Sequence, residues 1–446
     1  MEFNTLGLFR QHFYDTITKS KDSLFNCADA LLTETYASSF IELSLSPHFE
    51  RKWPSLYEAF EDGKLDQAAL RKLFADFAPL SQSADEPVVV AVDASNIVRP
   101  QAYTSPDRGC LYVHNLHECD KPITYGWQFS TLALLPNQPS SWCYILDNSR
   151  IDTDHTASEV AAEQLGALAN SLVTKRVLVV ADRYYGSATF LKALCQPQTQ
   201  GQVEALLRIK RDRVFYRDPT AYQAGQRGAP RKDGTRFKCS DQTTHGPADR
   251  IYQTYDERGG HELEVAAWDN LHFKQERGVK LSLIRLTRHA ASGKRGDPRV
   301  SWFVFWGKAA LALSEVEPTY RRRFSLEHTF RFLKQDLMWE KARLRTPKQF
   351  ELWSNLVAFV LNELVLAQPL NQAYRRAWES AARQASPQQV WRGMAAIIAR
   401  LGTPARSVKP RGKAVGRVKG TLVQRYKRYE VVKKRKIKQK TVKKAI

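Results

Sequence analysis

Two uninterrupted apolar runs, each leading into an aspartate, restrict the folds that this chain can adopt. The run Val88–Val92 leads into Asp93, and the run Val177–Val180 leads through one alanine into Asp182. Short runs of aliphatic residues predict strands that are buried on both faces. We therefore expect a sheet with helices on both sides and a first strand that ends on Asp93.

The elements between these two runs follow a specific order. Two further strand candidates, Tyr125–Pro136 and Trp142–Leu146, precede a helical pattern over Ala157–Val173. Three strands, one helix and a fourth strand, with carboxylates at the ends of the first and fourth strands, are typical of an RNase H-like fold. We predict an α/β protein with an RNase H-like core, in which a mixed sheet is flanked by helices.

Changes in composition predict five segments. Apolar residues recur at helical spacing near the N-terminus, whereas short β-like runs broken by Gly, Pro and basic loops fill the middle of the chain. The segments are a helical N-terminal domain with a DNA-binding role (1–82), the first part of the core (83–200), a β-rich insertion (201–300), the second part of the core with a helix that carries Glu327 (301–404) and a basic tail (405–446).

The chain is strongly basic, with 68 Lys and Arg residues against 46 Asp and Glu residues and a formal net charge of +22. Such a charge favours polyanionic partners, because each phosphate that a cation neutralises releases a condensed counterion. The tail contains 17 of these cations against the single acid Glu430. We expect it to be a flexible arm that orders on DNA; a solvated tail that only aids solubility is the alternative.

Several classes of protein find no support in the sequence. The longest apolar stretch, Leu356–Leu366, is short for a membrane span and contains Asn362 and Glu363, so no membrane partner is expected. The first residues show no basic region followed by an apolar run, which predicts a cytoplasmic, nucleoid-associated protein. No GxxxxGK[ST] loop is present, so ATP is not an expected cofactor.

Asp93 and Asp182 are candidate metal ligands. A carboxylate at the carboxyl end of a buried strand is rigidly held yet faces solvent, as a ligand for a hard divalent cation must. Phosphoryl transfer to a DNA strand uses two such cations, which activate the attacking oxygen and stabilise the leaving oxygen. Each aspartate alone has a simpler interpretation, a turn residue that ends a strand.

A third carboxylate lies on a predicted helix that begins near Tyr320. At about 100° per residue, five polar residues of this helix fall within an arc of roughly 80°. They are Tyr320, Arg323, Glu327, Arg331 and Lys334. A neighbouring apolar stripe that can pack on the sheet consists of Leu326, Phe330, Leu333 and Leu337. The alternative is a solvated face on which Glu327 pairs with Arg323 or Arg331.

This helix also matches a family signature. The chain resembles insertion-sequence transposases with an RNase H-like DDE core, whose signature Y-(2)-R-(3)-E-(6)-K fits Tyr320, Arg323, Glu327 and Lys334. The segments AVDASN, VVADRYYGS and a long β-rich stretch precede it in the expected order. The resemblance implies a catalytic triad of Asp93, Asp182 and Glu327 that binds two Mg²⁺ ions, for which Mn²⁺ can substitute.

The resemblance further implies contacts with DNA. Signature residues would grip the phosphates of the transposon end, and a tryptophan would stack on a flipped base, as aromatic platforms do. A basic loop between residues 227 and 238 has the composition of a phosphate contact, although a solvated loop is the alternative. Sheet packing is the alternative for the tryptophan. The candidate DNA-binding residues are Tyr320, Arg323, Arg331, Lys334, Arg183, Arg231, Lys232, Arg236 and Trp302.

The function that follows from the resemblance is cut-and-paste DNA transposition. The expected partners are the terminal inverted repeats, target DNA and a second copy of the chain in a synaptic homodimer. Two other classes remain open, a domesticated DNA-binding protein that keeps the fold without catalysis and a host nuclease that cuts without joining. An intact triad argues against the first of these.

Overall fold

The computed structural model has one large mixed sheet with helices on both faces, which confirms the predicted α/β class. Burial of the strands explains this layering, because Val88–Val92 and Val177–Ala181 are almost inaccessible to solvent. The structure describes residues 3–81, 83, 86–113, 122–138, 140–173, 175–196, 199, 201–222, 229–256, 260–289, 298–308, 310–380, 383–408, 419–420, 422 and 425–433.

The chain contains runs of helices at both ends and runs of strands in the middle. The helices are α1 (Phe3–Thr16), α2 (Lys21–Thr33), α3 (Phe40–Leu43), α4 (Trp53–Asp62), α5 (Gln67–Asp76), α6 (Ala157–Ser171), α7 (Ala188–Leu194), α8 (Leu313–Arg322), α9 (Phe324–Gln335), α10 (Pro347–Ala367) and α11 (Pro387–Leu401), with short 3-10 helices at Gln242–Thr244 and Gln368–Tyr374. The strands are β1 (Ile17–Lys19), β2 (Lys64–Leu65), β3 (Val88–Val98), β4 (Gly109–Tyr112), β5 (Ile123–Leu134), β6 (Tyr144–Ile151), β7 (Val177–Ala181), β8 (Val203–Ile209), β9 (Val214–Tyr216), β10 (Arg236–Lys238), β11 (Arg250–Asp256), β12 (His261–Phe273), β13 (Glu276–Arg288) and β14 (Arg299–Trp306).

The main sheet has the strand order β10-β9-β12-β13-β14-β8-β7-β3-β5-β4, with β11 beside β12 and β6 beside β5. Strands β3, β7 and β8 are parallel to one another, and their outer neighbours β5 and β14 run antiparallel to them. Helix α6 makes the crossover that a parallel pair requires. The predicted order of core elements is present, with one short additional strand, β4.

The strands of residues 201–300 extend this same sheet. Strand β8 pairs in parallel with β7 and antiparallel with β14, so it joins the two regions. The sheet thus passes without a break from the predicted core into the predicted insertion. The boundary predicted after residue 200 does not separate two sheets. The division of the chain into domains stays a prediction.

The N-terminal helices pack on the C-terminal half of the chain. Arg10 of α1 donates to Glu363 of α10 at 2.5 Å and to Asp29 of α2 at 2.6 Å, and all three side chains are buried. Phe13 stacks on Phe359 of α10, with ring centroids 3.6 Å apart. Helices α1, α2 and α10 therefore share one core.

Helix α10 is long and apolar enough to cross a membrane, as part of a helical stretch at Pro347–Tyr374. Its apolar window is 89% buried within the protein, as in a core helix. The capping box of Thr346 and Gln349, with Pro347 in the first turn, fixes where the helix begins.

Part of the C-terminal tail lies against the protein. The backbone N–H of Arg406 donates to Asp22, and that of Val408 donates to Glu50, so the start of the tail follows the N-terminal helices. Residues 425–433 lie against residues 103–109, where Tyr429 N donates to Tyr103 O and Val432 forms a parallel bridge with Gly109, the first residue of β4. In this segment the tail is docked, because β4 leaves an edge with which extended chain can pair, and its role as a flexible arm that orders on DNA stays a prediction.

Candidate active site

Asp93 and Asp182 lie side by side at one end of the parallel strands. The parallel register pairs Ala91 with Val180, and its continuation by two residues places Asp182 beside Asp93. The prediction that the first strand ends on Asp93 is wrong, because β3 continues to Val98. Residues 94–98 remain paired with β5 after the pairing with β7 has ended.

The two aspartates differ in their surroundings. The Asp93 side chain is 23% exposed and accepts a hydrogen bond from the backbone N–H of Ala94 at 2.8 Å. Asp182 follows the last residue of β7 and accepts from the backbone N–H of Tyr184 at 2.8 Å. Both carboxylates are therefore held by local main chain and retain oxygen atoms for another partner.

Glu327 approaches from a helical pair above the sheet. The predicted single helix is divided at Arg323, where α8 ends and α9 follows. The hydrogen bonds from Arg323 N to Tyr320 O and from Leu326 N to Arg323 O span three residues, which tightens the chain at this point. Leu326, Leu333 and Leu337 are buried as the apolar stripe predicts.

Arg323 links two of the three carboxylates. Its Nη2 donates to Asp93 Oδ2 at 2.7 Å, and its Nη1 donates to Glu327 Oε1 at 3.2 Å. Burial raises the pKa of Asp93 to about 6 against the lowering effect of Arg323, and the charges of Asp182 and Glu327 add to the rise. One guanidinium thus serves as counter-ion for a cluster of three acids.

The donor set fits a hard divalent cation in chemistry and in charge. Three carboxylates supply the oxygen ligands that Mg²⁺ prefers, and one arginine does not neutralise them all. In the described part of the chain, no three Asp, Glu, His or Cys side chains are already arranged to hold a metal ion. Arg323 is bonded to carboxylate oxygens of Asp93 and Glu327 that a cation would need.

The other predicted residues of the helix lie around this cluster. Tyr320 packs edge-on against Phe303 of β14, with centroids 4.7 Å apart, and burial raises the pKa of its phenol. The Lys334 ammonium lies 3.4 Å from the Asn96 carbonyl oxygen. Arg331 on α9 and Arg183, directly after Asp182, are exposed to solvent.

The remaining predicted DNA contacts are not brought to the site. Arg231 and Lys232 precede β10 and Arg236 begins it, and β10 is seven strands away from β3 in the order of the sheet. Trp302 is 4% exposed. It packs among His245 and Trp268, as the sheet-packing alternative predicts, so a base could stack on it only after this cluster opened.

A cationic cleft beside Glu327 was not predicted from the sequence. It has a volume of about 650 Å³ and is lined by Arg208, Arg288, Arg299, Arg321, Tyr320 and Phe324, among others. The β7–β8 register pairs Ala181 with Leu207, and its continuation by one residue places Arg208 beside Asp182. Arg288 lies directly opposite Arg299 in the β13–β14 ladder, and Glu317 of α8, which also lines the cleft, pairs with Arg288 at 3.1 Å and with Arg321 at 3.6 Å.

One signal for these arginines was present in the sequence. Arg208 follows the apolar residues Ala205–Leu207 of the strand Val203–Ile209, and it is the exposed residue of that strand. Arg288 and Arg299 are separated by ten residues in the sequence, and only strand pairing brings them face to face. The cleft therefore depends on contacts between distant segments that spacing alone does not reveal.

Comparisons with known proteins give one match in sequence. The model of the family described as "DDE superfamily endonuclease" matches residues 12–271, a range that contains Asp93 and Asp182 and ends before Glu327. No curated protein matches the chain. Among solved structures, the chain is similar to piggyBac transposase in a synaptic complex with hairpin DNA, determined by cryo-EM. The two are 10% identical, with 91% of this chain and 73% of that chain covered and a TM-score of 0.37. A likeness of this strength carries no argument about function.

Proposed function

Because this chain belongs to the DDE superfamily endonuclease family, we propose that it is a DNA transposase of the bacterial insertion-sequence kind. It cleaves the strands at transposon ends and joins the freed 3′-hydroxyl groups to target DNA. The observation that carries this proposal is the grouping of Asp93, Asp182 and Glu327 around Arg323, beside a cleft lined with arginines.

The triad would bind two Mg²⁺ ions, for which Mn²⁺ can substitute. Bound divalent cations activate the attacking oxygen and stabilise the leaving oxygen of a phosphodiester. The protein's own part is to hold the carboxylates rigidly and to position the DNA. Backbone N–H groups that bond to Asp93 and Asp182 support the first role.

Positioning of the DNA falls to the cations next to the triad. Arg323 and Lys334 would contact the phosphates of the transposon end, with Tyr320 beside them, and the cleft with Arg208, Arg288 and Arg299 would receive more of the backbone. When a phosphate and metal ions enter, Arg323 would exchange its carboxylate partners for phosphate oxygen. A planar guanidinium suits both anions.

The proposed partners are the terminal inverted repeats, target DNA and a second copy of the chain. The proposed location is the cytoplasm, in association with the nucleoid.

The test of the proposed function uses a duplex that carries the inverted repeats flanking the gene, together with plasmid as target. We expect Mg²⁺-dependent cleavage at the repeat end, joined plasmid products and loss of both with chelator. Cleavage without joining would point to a host nuclease, and binding without cleavage would point to a domesticated protein.

Arg323→Gln is expected to tighten the binding of Mn²⁺ to the DNA-free protein by at least about tenfold. The substitution removes a cation that is bonded to two of the proposed ligands, so a divalent ion meets less repulsion there. Mn²⁺ titration followed by electron paramagnetic resonance measures the change. Arg322→Gln is the matched control, because the Arg322 side chain bonds to the carbonyls of Leu135 and Pro136 instead. An affinity equal to that of the control would mean that Arg323 does not compete with the ion.

Lys334→Ala is expected to weaken binding to an end-bearing duplex by about tenfold, with a smaller loss on duplex of random sequence. A phosphate contact close to the triad fixes the register of the end, whereas general electrostatic attraction is shared by all duplexes. Gel-shift titration of both duplexes measures the two affinities. The matched control is Lys341→Ala, since Lys341 is an exposed lysine after the same helix. Equal losses on the two duplexes would assign Lys334 to general attraction.

A further inference from the structure

The docked part of the C-terminal tail, residues 425–433, is held mainly by its backbone. Tyr429 N donates to Tyr103 O at 2.9 Å, and Val432 N donates to Arg108 O at 2.9 Å. The Arg345 guanidinium lies over the Tyr426 ring, with its Cζ 3.9 Å from the ring centroid. Because the backbone makes most of these bonds, the side chains of the segment remain available.

The fold provides a preformed binding site for this segment. Arg108 is 2% exposed, and its guanidinium donates to the carbonyls of Arg99, Pro100 and Ser105. Its Nη2 donates to Tyr429 O of the tail at 3.3 Å. The tail thus completes the hydrogen bonding of a buried arginine, which a loosely placed arm would not do.

The outward side of the docked segment is basic and aromatic. Arg425, Lys427, Arg428 and Lys433 are all exposed, against the single acid Glu430. Tyr426 is 67% exposed and Tyr429 is 40% exposed. Cations close to amphipathic tyrosine rings suit the phosphates and sugars of a DNA backbone, which take hydrogen bonds from both residue types.

Strand β4 connects this segment to the candidate active site. At its far end, the Asn96 side-chain amide donates to Tyr112 O at 2.8 Å, and the Lys334 ammonium lies 3.4 Å from Asn96 O. At its near end, Gly109 bridges to Val432. Four residues of strand span roughly 14 Å, the length of about four base pairs of duplex.

We propose that residues 425–433, docked on residues 103–109 at the start of β4, form a second binding surface for duplex DNA, outside the catalytic cleft. The surface receives DNA that leaves the cleft past Lys334. This inference rests on the proposed function only in taking DNA as the substrate. The docked state is essential to it, because a segment that is already ordered binds without the entropic cost of ordering.

The test measures binding to a random-sequence duplex of about 40 base pairs over a range of salt concentrations. The triple variant Arg425→Gln, Lys427→Gln, Arg428→Gln removes three cations, so the slope of log K against log salt should become shallower by about 2 to 3 units. Val432→Pro removes the N–H that bonds to Arg108 O without a change of charge. We expect it to bind about five- to tenfold more weakly at fixed salt, with the slope retained.

Val431→Pro is the matched control, since Val431 N makes no hydrogen bond within the described residues. It should bind as the unaltered protein does. An unchanged slope in the triple variant would overturn the proposal, because the segment would then not touch DNA. Equal affinities of the Val432→Pro and Val431→Pro variants would overturn it as well, because the tail would then act as an undocked arm. Absence of DNA cleavage by the unaltered protein, with these binding effects present, would count against the transposase function alone.

Discussion

Asp93→Asn, Asp182→Asn and Glu327→Gln are each expected to slow metal-dependent strand cleavage by about a thousandfold or more. An amide keeps the volume of the carboxyl group but removes the negative charge that holds a divalent cation, and bound cations contribute several kcal/mol to phosphoryl transfer. Affinity for duplex DNA should stay within a few fold, because the carboxylates repel phosphate. A radiolabelled end-bearing duplex, cut under single-turnover conditions, measures the cleavage rate.

The control for these substitutions is a carboxylate in the same sheet that the mechanism does not use. Asp147 of β6 is 5% exposed and pairs with Arg71 at 3.1 Å, so Asp147→Asn tests the loss of a buried charge without the loss of a proposed metal ligand. It should cleave within a few fold of the unaltered protein. Mg²⁺-dependent cleavage near the normal rate by a folded Asp93, Asp182 or Glu327 variant would remove that residue from the triad.

Local patterns explain why two carboxylates of the proposed triad could be placed at the ends of predicted strands. The apolar run Val177–Val180 forms strand β7, and Asp182 directly follows that strand, as expected. The apolar run before Asp93 correctly predicts that β3 begins at Val88, but it wrongly predicts that the strand ends at Asp93. Ala94, Ser95 and Asn96 have little local preference for a strand, and they remain in one because β5 pairs with them. Partner strands distant in sequence decide such boundaries.

The geometry of Arg323 could be predicted only in part. Helical spacing correctly placed Arg323 and Glu327 one turn apart, within reach of each other. It could not show that the same guanidinium reaches Asp93, because that contact joins residues 230 positions apart in the chain. The break between α8 and α9 was missed for a related reason. A helical pattern does not distinguish one helix from two that meet at a tightened turn.

A buried ion cluster between the N-terminal helices and α10 also could not be predicted from sequence patterns. Arg10 occupies a helix that reads as amphipathic, yet its side chain is 2% exposed and lies between Glu363 and Asp29. One oxygen of Glu363, Oε2, has no hydrogen-bond partner among the described residues. Burial raises the pKa of Glu363 to about 7, although Arg10 lowers it. The cluster thus holds two acids and one base away from water.

Arg10→Met is expected to lower the free energy of unfolding by about 3 to 5 kcal/mol. Methionine fills much of the volume but leaves Glu363 and Asp29 without their cation, and removal of one partner from a buried ion pair has a cost of this size. Urea unfolding followed by tryptophan fluorescence measures the change. The double variant Arg10→Met, Glu363→Gln should recover part of the loss, because one of the uncompensated charges is gone.

The pH dependence of this loss separates buried charge from lost packing. Between its ordinary pKa of 4.5 and about 7, Glu363 keeps its proton in the folded protein but releases it on unfolding. Its contribution to stability therefore falls as pH rises through this window. Without Arg10 the pKa of Glu363 rises further, so the destabilisation caused by Arg10→Met should be larger at pH 8 than at pH 5, by about 1 to 2 kcal/mol. In the double variant this difference should become smaller, because Asp29 is then the one acid of the cluster left without its cation. An equal loss at both pH values would mean that Arg10 stabilises the helical interface through packing and not through its charge.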